Sequence, residues 1–257
     1  MNTKMIITDL DRTLLRTDKS ISDYSVDVFN RCRANGIKVV FATARPKRTV
    51  KHFVEKIPSD ALILHNGAVI FVGDKLHTCF GIDPIIRDNI LLSINRDFPE
   101  TTLSVEIEDV LYANFDVSVI WNETPAVRTD FTDLPNKLAD KIIIGSAVPL
   151  DVEKLAKYIP CDLYLETSSG ENMNLELIMN RKATKWEAVK ILLNQFDIQA
   201  VETVAFGDDY NDISMIEGCG IGVAVANSIS DVKAVSDYIC DSNDNDGVAK
   251  WLNENVL

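Results

Sequence analysis

Four short apolar runs constrain what this chain can fold into: Ile6 to Thr8, Ile37 to Phe41, Ala61 to Leu64 and Val201 to Phe206. Each is too short for a helix and apolar at nearly every position, the pattern of a strand buried on both faces. Helical spacing fills the gaps between the first three. In Ser22 to Asn35 the apolar positions Tyr24, Val28, Phe29 and Cys32 share one face and Gly36 ends the helix; Pro46 opens another that runs to about Lys56. Strand, helix, strand, helix, strand is the order of a parallel, doubly wound sheet. Asn66-Gly67 then turns the chain into a hairpin, Ala68 to Val72 against Leu76 to Phe80, with Gly73-Asp74 at its tip.

The middle of the chain has a different rhythm. A helix over Ile85 to Phe98 is followed by strands at Thr102 to Ile107, Leu111 to Phe115 and Val117 to Trp121, and then by a loop-rich piece with Pro125 and Pro135. Lys141 to Ile144, a helix around Asp151 to Tyr158, Asp162 to Glu166 and Met173 to Ile178 complete it. Strands and helices do not alternate here, which predicts a second layer with its own sheet. At Thr184 the first rhythm resumes. Thr184 and Glu187 make a capping-box pattern, and Val189, Leu192, Leu193 and Phe196 give the next helix its apolar stripe. After the fourth apolar run come a helix through Met215 and Ile216, a strand at Ile221 to Val225, a helix near Ser230 to Val235 and a last helix from Gly247 to Asn253. The expected fold is therefore α/β: a doubly wound, Rossmann-like parallel sheet core formed by residues 1–81 and 182–257, interrupted by an α+β insert at residues 82–181.

Charge and cysteine content narrow the functions. With 26 Lys and Arg against 39 Asp and Glu, the net charge of -13 repels nucleic acid and anionic membrane, so neither is an expected partner. Five scattered cysteines without C-x-x-C spacing fit a reducing compartment, and the absence of a long apolar stretch predicts a soluble, cytoplasmic protein. Oligomeric state is not encoded legibly. The three histidines lie far apart without ligand spacing.

Where the apolar runs end, complementary polar groups follow: Asp9, Asp11 and Thr13 after the first, Thr43 and Arg45 after the second, Asn66 after the third, and Asp208, Asn211 and Asp212 after the fourth. Lys185 begins a helix, where a cation sits badly against the dipole unless something compensates it. In a parallel sheet these loops share one edge, the edge at which such sheets bind ligands. Crowded carboxylates with a main-chain carbonyl suit Mg2+, with Asp9, Asp11, Asp208 and Asp212 as candidate ligands. Hydroxyl, lysine and amide groups would then donate to a phosphate, and the site reads as one for phosphoryl transfer through an aspartate nucleophile.

These motifs, in this order, resemble the haloacid dehalogenase superfamily hydrolases of the Cof type. Asp9-x-Asp11-x-Thr13, Thr43 with Arg45, Lys185 followed by Ala188, and Gly207-Asp208-x-x-Asn211-Asp212 match its four motifs, and Asn66-Gly67-Ala68 and the closing Asp246-Gly247-Val248-Ala249 extend the likeness over nearly the whole chain. The resemblance implies a Mg2+-dependent phosphatase of a small phosphorylated metabolite, such as a sugar phosphate, nucleotide or phosphorylated cofactor. Asp9 would be nucleophile, Asp11 general acid/base, and Asp9, the Asp11 carbonyl and Asp208 the metal ligands. Thr13, Thr43, Arg45, Asn66, Lys185 and Asn211 would contact phosphate or substrate, and the insert would be a cap that selects the substrate. A phosphomutase of the same superfamily is the near alternative. A phospho-accepting signalling module is the distant one, and the large insert argues against it. Arg12, Ala44 and Trp186 stand where this family often has glycine, and they are expected to add bulk near the cleft. Within the insert, Trp121, Glu123 and Arg128 are positions that could meet substrate or simply decorate a surface.

Overall fold

A computed structural model describes residues 2–121, 124–169 and 173–257. In chain order its elements are β1 (Met5–Thr8), α1 (Asp23–Ala34), β2 (Lys38–Ala42), α2 (Lys47–Lys56), β3 (Ala61–Leu64), β4 (Val69–Val72), β5 (Lys75–Cys79), α3 (Pro84–Asp97), β6 (Thr102–Ile107), β7 (Val110–Ala113), β8 (Ala126–Arg128) and β9 (Lys141–Ser146). There follow α4 (Val152–Ala156), β10 (Leu163–Ser169), β11 (Asn174–Asn180), α5 (Lys185–Phe196), β12 (Thr203–Gly207), α6 (Ile213–Gly218), β13 (Ile221–Val225), α7 (Ser230–Val235), β14 (Tyr238–Cys240) and α8 (Gly247–Asn255). The chain divides into two compact units, Met1–Thr78 with Thr184–Leu257, and Cys79–Ala183.

The first unit is built on an eight-stranded sheet of order β14-β13-β12-β1-β2-β3-β4-β5. From β14 to β3 neighbouring strands run parallel, and β4 joins antiparallel to β3. The chain steps outward from β1 to β2 and β3, then returns to the other side of β1 for β12, β13 and β14. The switch point thus falls beside β1, where Ile7 pairs with Val40 on one side and Ala205 on the other. All four residues of β1 are fully buried, as a central parallel strand covered on both faces requires. Helix α1 starts at an Ser22 cap whose hydroxyl accepts from the Ser25 N–H, and it buries Ser25, Val28, Phe29 and Cys32. Tyr24, expected on that buried face, is instead exposed.

The second unit has a six-stranded sheet of order β10-β11-β9-β6-β7-β8, antiparallel except for the β7–β8 pair. Leu103, Val105 and Ile107 alternate along β6, and with Ile142, Ile144 and Ile178 they pack against Ile90, Leu91 and Ile94 of α3 and Leu155 of α4. The strand expected at Val117 to Trp121 is a 3-10 turn, Val117–Val119, because the Asp116 carboxylate accepts from both the N–H and the hydroxyl of Ser118 and closes the chain locally. Trp121 packs on the small cluster of Leu111, Ala113 and Val117. Arg128 is exposed, and Glu123 lies outside the described residues. Among the described residues, no helix is long and apolar enough to cross a membrane.

Candidate active site

The carboxyl ends of β1, β2, β3 and β12 bring the predicted polar residues together, all within the first unit. The Asp9 N–H donates to the Phe206 carbonyl at 3.0 Å, which extends the β1–β12 ladder by one residue and fixes the Asp9 main chain. Lys185, first residue of α5, sends its ammonium to Asp9 Oδ1 and Asp212 Oδ1, each at 2.7 Å. This is the compensation that a lysine at a helix N-terminus needs. The helix itself starts where the Thr184 hydroxyl accepts from the Glu187 N–H. Lys182, three residues earlier and the other lysine that the motif could have used, is exposed, whereas the Lys185 ammonium meets Asp9.

Asp9, Asp208 and Asp212 offer carboxylate oxygens within 4.8 Å of one another, all three residues buried. Three carboxylates face one buried ammonium, with the exposed Arg12 guanidinium 3.7 Å from Asp208, and the negative excess suits a bound cation. Burial pushes the Asp9 carboxyl up; Lys185 opposes that, and Asp212 and Asp208 add to it, so the net shift is well upward. Asp208 is raised to about 6, first by burial and then by Asp212, against the hydrogen bond from Thr13. Burial would discharge Lys185, but Asp212 and Asp9 reverse the effect and hold it charged. Asp212 uses both oxygens within the protein, since Oδ2 accepts from the N–H groups of Asp208 (3.0 Å) and Asp209 (3.2 Å). By contrast, Asp9 Oδ2 carries no protein hydrogen bond among the described residues. Gly207 lets this turn close, because a Cβ there would come within 2.4 Å of Asp212 Cβ.

Asp11 has a different environment. Arg45 grips it with two hydrogen bonds, Nε to Oδ2 at 2.6 Å and Nη2 to Oδ1 at 2.7 Å, and Lys19 Nζ adds a third at 2.9 Å. Burial alone would raise its pKa, yet the bonds and charge of Arg45, then Lys19, overcome that and bring it down to about 2. Lys19 was not anticipated. It lies in a polar stretch with no periodicity or motif, and only the folded turn brings it to Asp11.

The remaining predicted residues form the floor and rim. The Thr13 hydroxyl donates to Asp208 Oδ1 at 3.0 Å, tying the β1 loop to the β12 loop. Thr43 is buried, its Oγ1 accepting from the Arg45 N–H and its carbonyl from the Asn66 N–H. Asn66 Oδ1 accepts from Asn211 Nδ2 at 3.0 Å, so these two amides position each other. Of the three departures from the family pattern, Trp186 does not crowd the cleft as expected: its indole packs on Gly218 of α6, where a Cβ would come within 2.5 Å of the ring.

Gly67 is the tightest point under Lys185. Its φ is 111°, and a Cβ there would fall 2.3 Å from the carbonyl oxygen of Thr184, the cap of α5. Gly67→Ala is expected to cost roughly 2–4 kcal/mol, from left-handed strain plus overpacking against rigid main chain. Urea unfolding measures it, and a loss under about 0.5 kcal/mol would show that the cap can shift freely.

The profile of the haloacid dehalogenase-like hydrolases matches residues 6–252, and the chain belongs to that family of enzymes. It is 29% identical to a phosphatase of Bacillus subtilis, YwpJ, over 97% of this chain and 98% of the other. It is 26% identical to a 5-amino-6-(5-phospho-D-ribitylamino)uracil phosphatase of the same organism (99% and 98% covered) and 25% identical to a pyridoxal phosphate phosphatase of Escherichia coli (100% of both). Among solved structures, a haloacid dehalogenase-like hydrolase from B. subtilis superposes with a TM-score of 0.82 at 27% identity, covering 99% of this chain and 100% of that one. A Thermotoga maritima protein superposes with 0.87 at 24% identity, covering 99% and 98%.

Proposed function

We propose that this hydrolase is a Mg2+-dependent phosphatase of a small phosphorylated metabolite and that it works through an aspartyl phosphate on Asp9. The observation that carries the reading is the asymmetry of Asp9: Oδ1 is held by Lys185, while Oδ2 has no protein donor. A carboxylate fixed by one oxygen presents the other as a nucleophile. The relatives whose names specify a phosphorylated vitamin precursor or cofactor support the substrate class. Asp9 and Asp208, with the carbonyl of Asp11, would hold Mg2+, which supplies the charge that neutralises the cluster and draws in phosphoryl oxygens.

In this reading the bound phosphate draws Arg45 and Lys19 away from Asp11, which takes up a proton from solvent. Asp9 Oδ2 attacks phosphorus as the bond to the leaving oxygen breaks, and Asp11 gives that oxygen its proton. Asp11, now a carboxylate, takes a proton from the water that attacks the aspartyl phosphate; the bond between phosphorus and Asp9 Oδ2 breaks, the Asp9 carboxylate is restored and inorganic phosphate leaves. Lys185 keeps Asp9 oriented through both steps. Phosphate release from sugar phosphates, nucleotides, flavin mononucleotide, pyridoxal phosphate and an aryl phosphate tests the proposal. Turnover of at least one ester with Mg2+, abolished by EDTA and restored by adding Mg2+ back, is expected. No turnover on the whole panel, or an undiminished rate in EDTA, would sink it.

A further inference from the structure

The turn at residues 226–229, after β13, touches two of the catalytic loops at once. Its Ser228 N–H closes back on the Val225 carbonyl, and its Ile229 N–H donates to the Asp208 carbonyl, both at 3.0 Å. Between them, Asn227 reaches the β1 loop: Nδ2 donates to the Arg12 carbonyl at 2.7 Å, and Arg12 Nη2 donates to the Asn227 carbonyl at 3.5 Å. The other end of the amide is also held, since Oδ1 accepts from the Asn243 N–H at 3.0 Å. Buried Asn243 in turn donates from Nδ2 to the Leu15 carbonyl at 3.0 Å. Two linked asparagines thus grip the loop at Arg12 and at Leu15. With a carbonyl at one end of the Asn227 amide and an N–H at the other, only one orientation of that amide satisfies both.

Arg12 needs such a grip. Its φ is 61°, the left-handed region, which disfavours a residue with a Cβ roughly five- to thirtyfold. It stands between Asp11, whose carbonyl the phosphatase reading assigns to the metal, and Thr13, whose hydroxyl meets Asp208. Relaxation of Arg12 to the right-handed region would swing the peptides on both sides of it.

We propose that Asn227 is a positioning residue for the reaction: by holding Arg12 in its left-handed conformation it fixes the main chain from Asp11 to Thr13 and the register of that loop against Asp208. Its kinetic consequence rests on the phosphatase reading, whereas its effect on the loop rests on geometry alone. Asn227 is only half-buried, so Asn227→Ala should fold.

The experiment compares the parent, Asn227→Ala, Arg12→Gly and the double variant on the best substrate of the panel, with thermal melts across a Mg2+ titration. Asn227→Ala is expected to lower kcat roughly ten- to a hundredfold with KM changed less than about twofold, the pattern of misplaced reacting groups. Glycine takes φ 61° freely, so in the Arg12→Gly background the same change should cost less than about threefold. The Mg2+ concentration giving half-maximal thermal stabilisation should rise at least about threefold in Asn227→Ala and return toward its background value in the double variant. An unchanged kcat, an equal loss in both backgrounds, or failure of Asn227→Ala to fold would overturn the proposal. If the parent hydrolyses no ester, the phosphatase reading fails, and the Mg2+ midpoint alone decides whether Asn227 holds the loop: an unshifted midpoint rejects it.

Discussion

Asp9→Asn is expected to give a folded protein that hydrolyses phosphate esters at less than about a hundredth of the parent rate. An amide cannot attack phosphorus, and its oxygen is a poorer partner for Mg2+ than a carboxylate. The fold should survive because the environment already disfavours a charge here: burial, with Asp212 and Asp208 close by, pushes the Asp9 carboxyl up against the pull of Lys185. The amide oxygen can still accept from Lys185, so no buried ammonium is orphaned. In the absence of Mg2+ the melting temperature should therefore equal or exceed that of the parent. Steady-state rates and melts on the purified variant check both halves. A residual rate above a hundredth of the parent's would remove Asp9 as nucleophile, and a collapse in stability would mean that its charge, not its chemistry, is what the fold requires.

The strands that position this site were legible because their apolar runs are short, uninterrupted and closed by polar residues. The ends of β1 and β3 follow directly from that. What lay beyond the sequence was set by contacts between distant segments. β14 has only Tyr238–Cys240, two of them exposed, too little for a pattern to register. Val201, read as the start of a strand, is exposed in a 3-10 turn at Ala200–Glu202, and β12 begins at Thr203. At the site, the places of Asp9 and Asp208 at the ends of two apolar runs foretold that these groups would meet, since loops at one edge of a parallel sheet converge, and Lys185 joins them from the start of α5. It could not foretell how charges would pair. Arg45, expected to face phosphate, holds Asp11 with two bonds, and Thr13 spends its hydroxyl proton on Asp208. Arg12, which reads in sequence as mere bulk, occupies a backbone conformation that a glycine would take without strain.

The pairing of Asp11 shapes the second large effect, that of Asp11→Asn. An acid that protonates a leaving oxygen must first carry the proton, yet Arg45 and Lys19 hold Asp11 as a carboxylate, with its pKa near 2. The same two cations can also donate to an incoming phosphate dianion, and each bond they transfer to it relaxes their hold on Asp11. In the phosphatase reading that release raises the Asp11 pKa, and a proton taken up from solvent as the substrate binds makes Asp11 the acid. Replacing it with an amide would remove the proton donor of the phosphatase reading, and it leaves Arg45 without its ion pair. Turnover of an alkyl phosphate should fall by roughly two to four orders of magnitude, the usual scale for lost general acid/base assistance. An aryl phosphate with a good leaving group needs little protonation, so its first step, read as a single-turnover burst of the released phenol, should fall far less. Its second step still needs a base for water, so steady-state turnover should drop while the burst persists. Equal losses in burst and steady state, for aryl and alkyl esters alike, would place the role of Asp11 in ordering Arg45 and not in moving a proton.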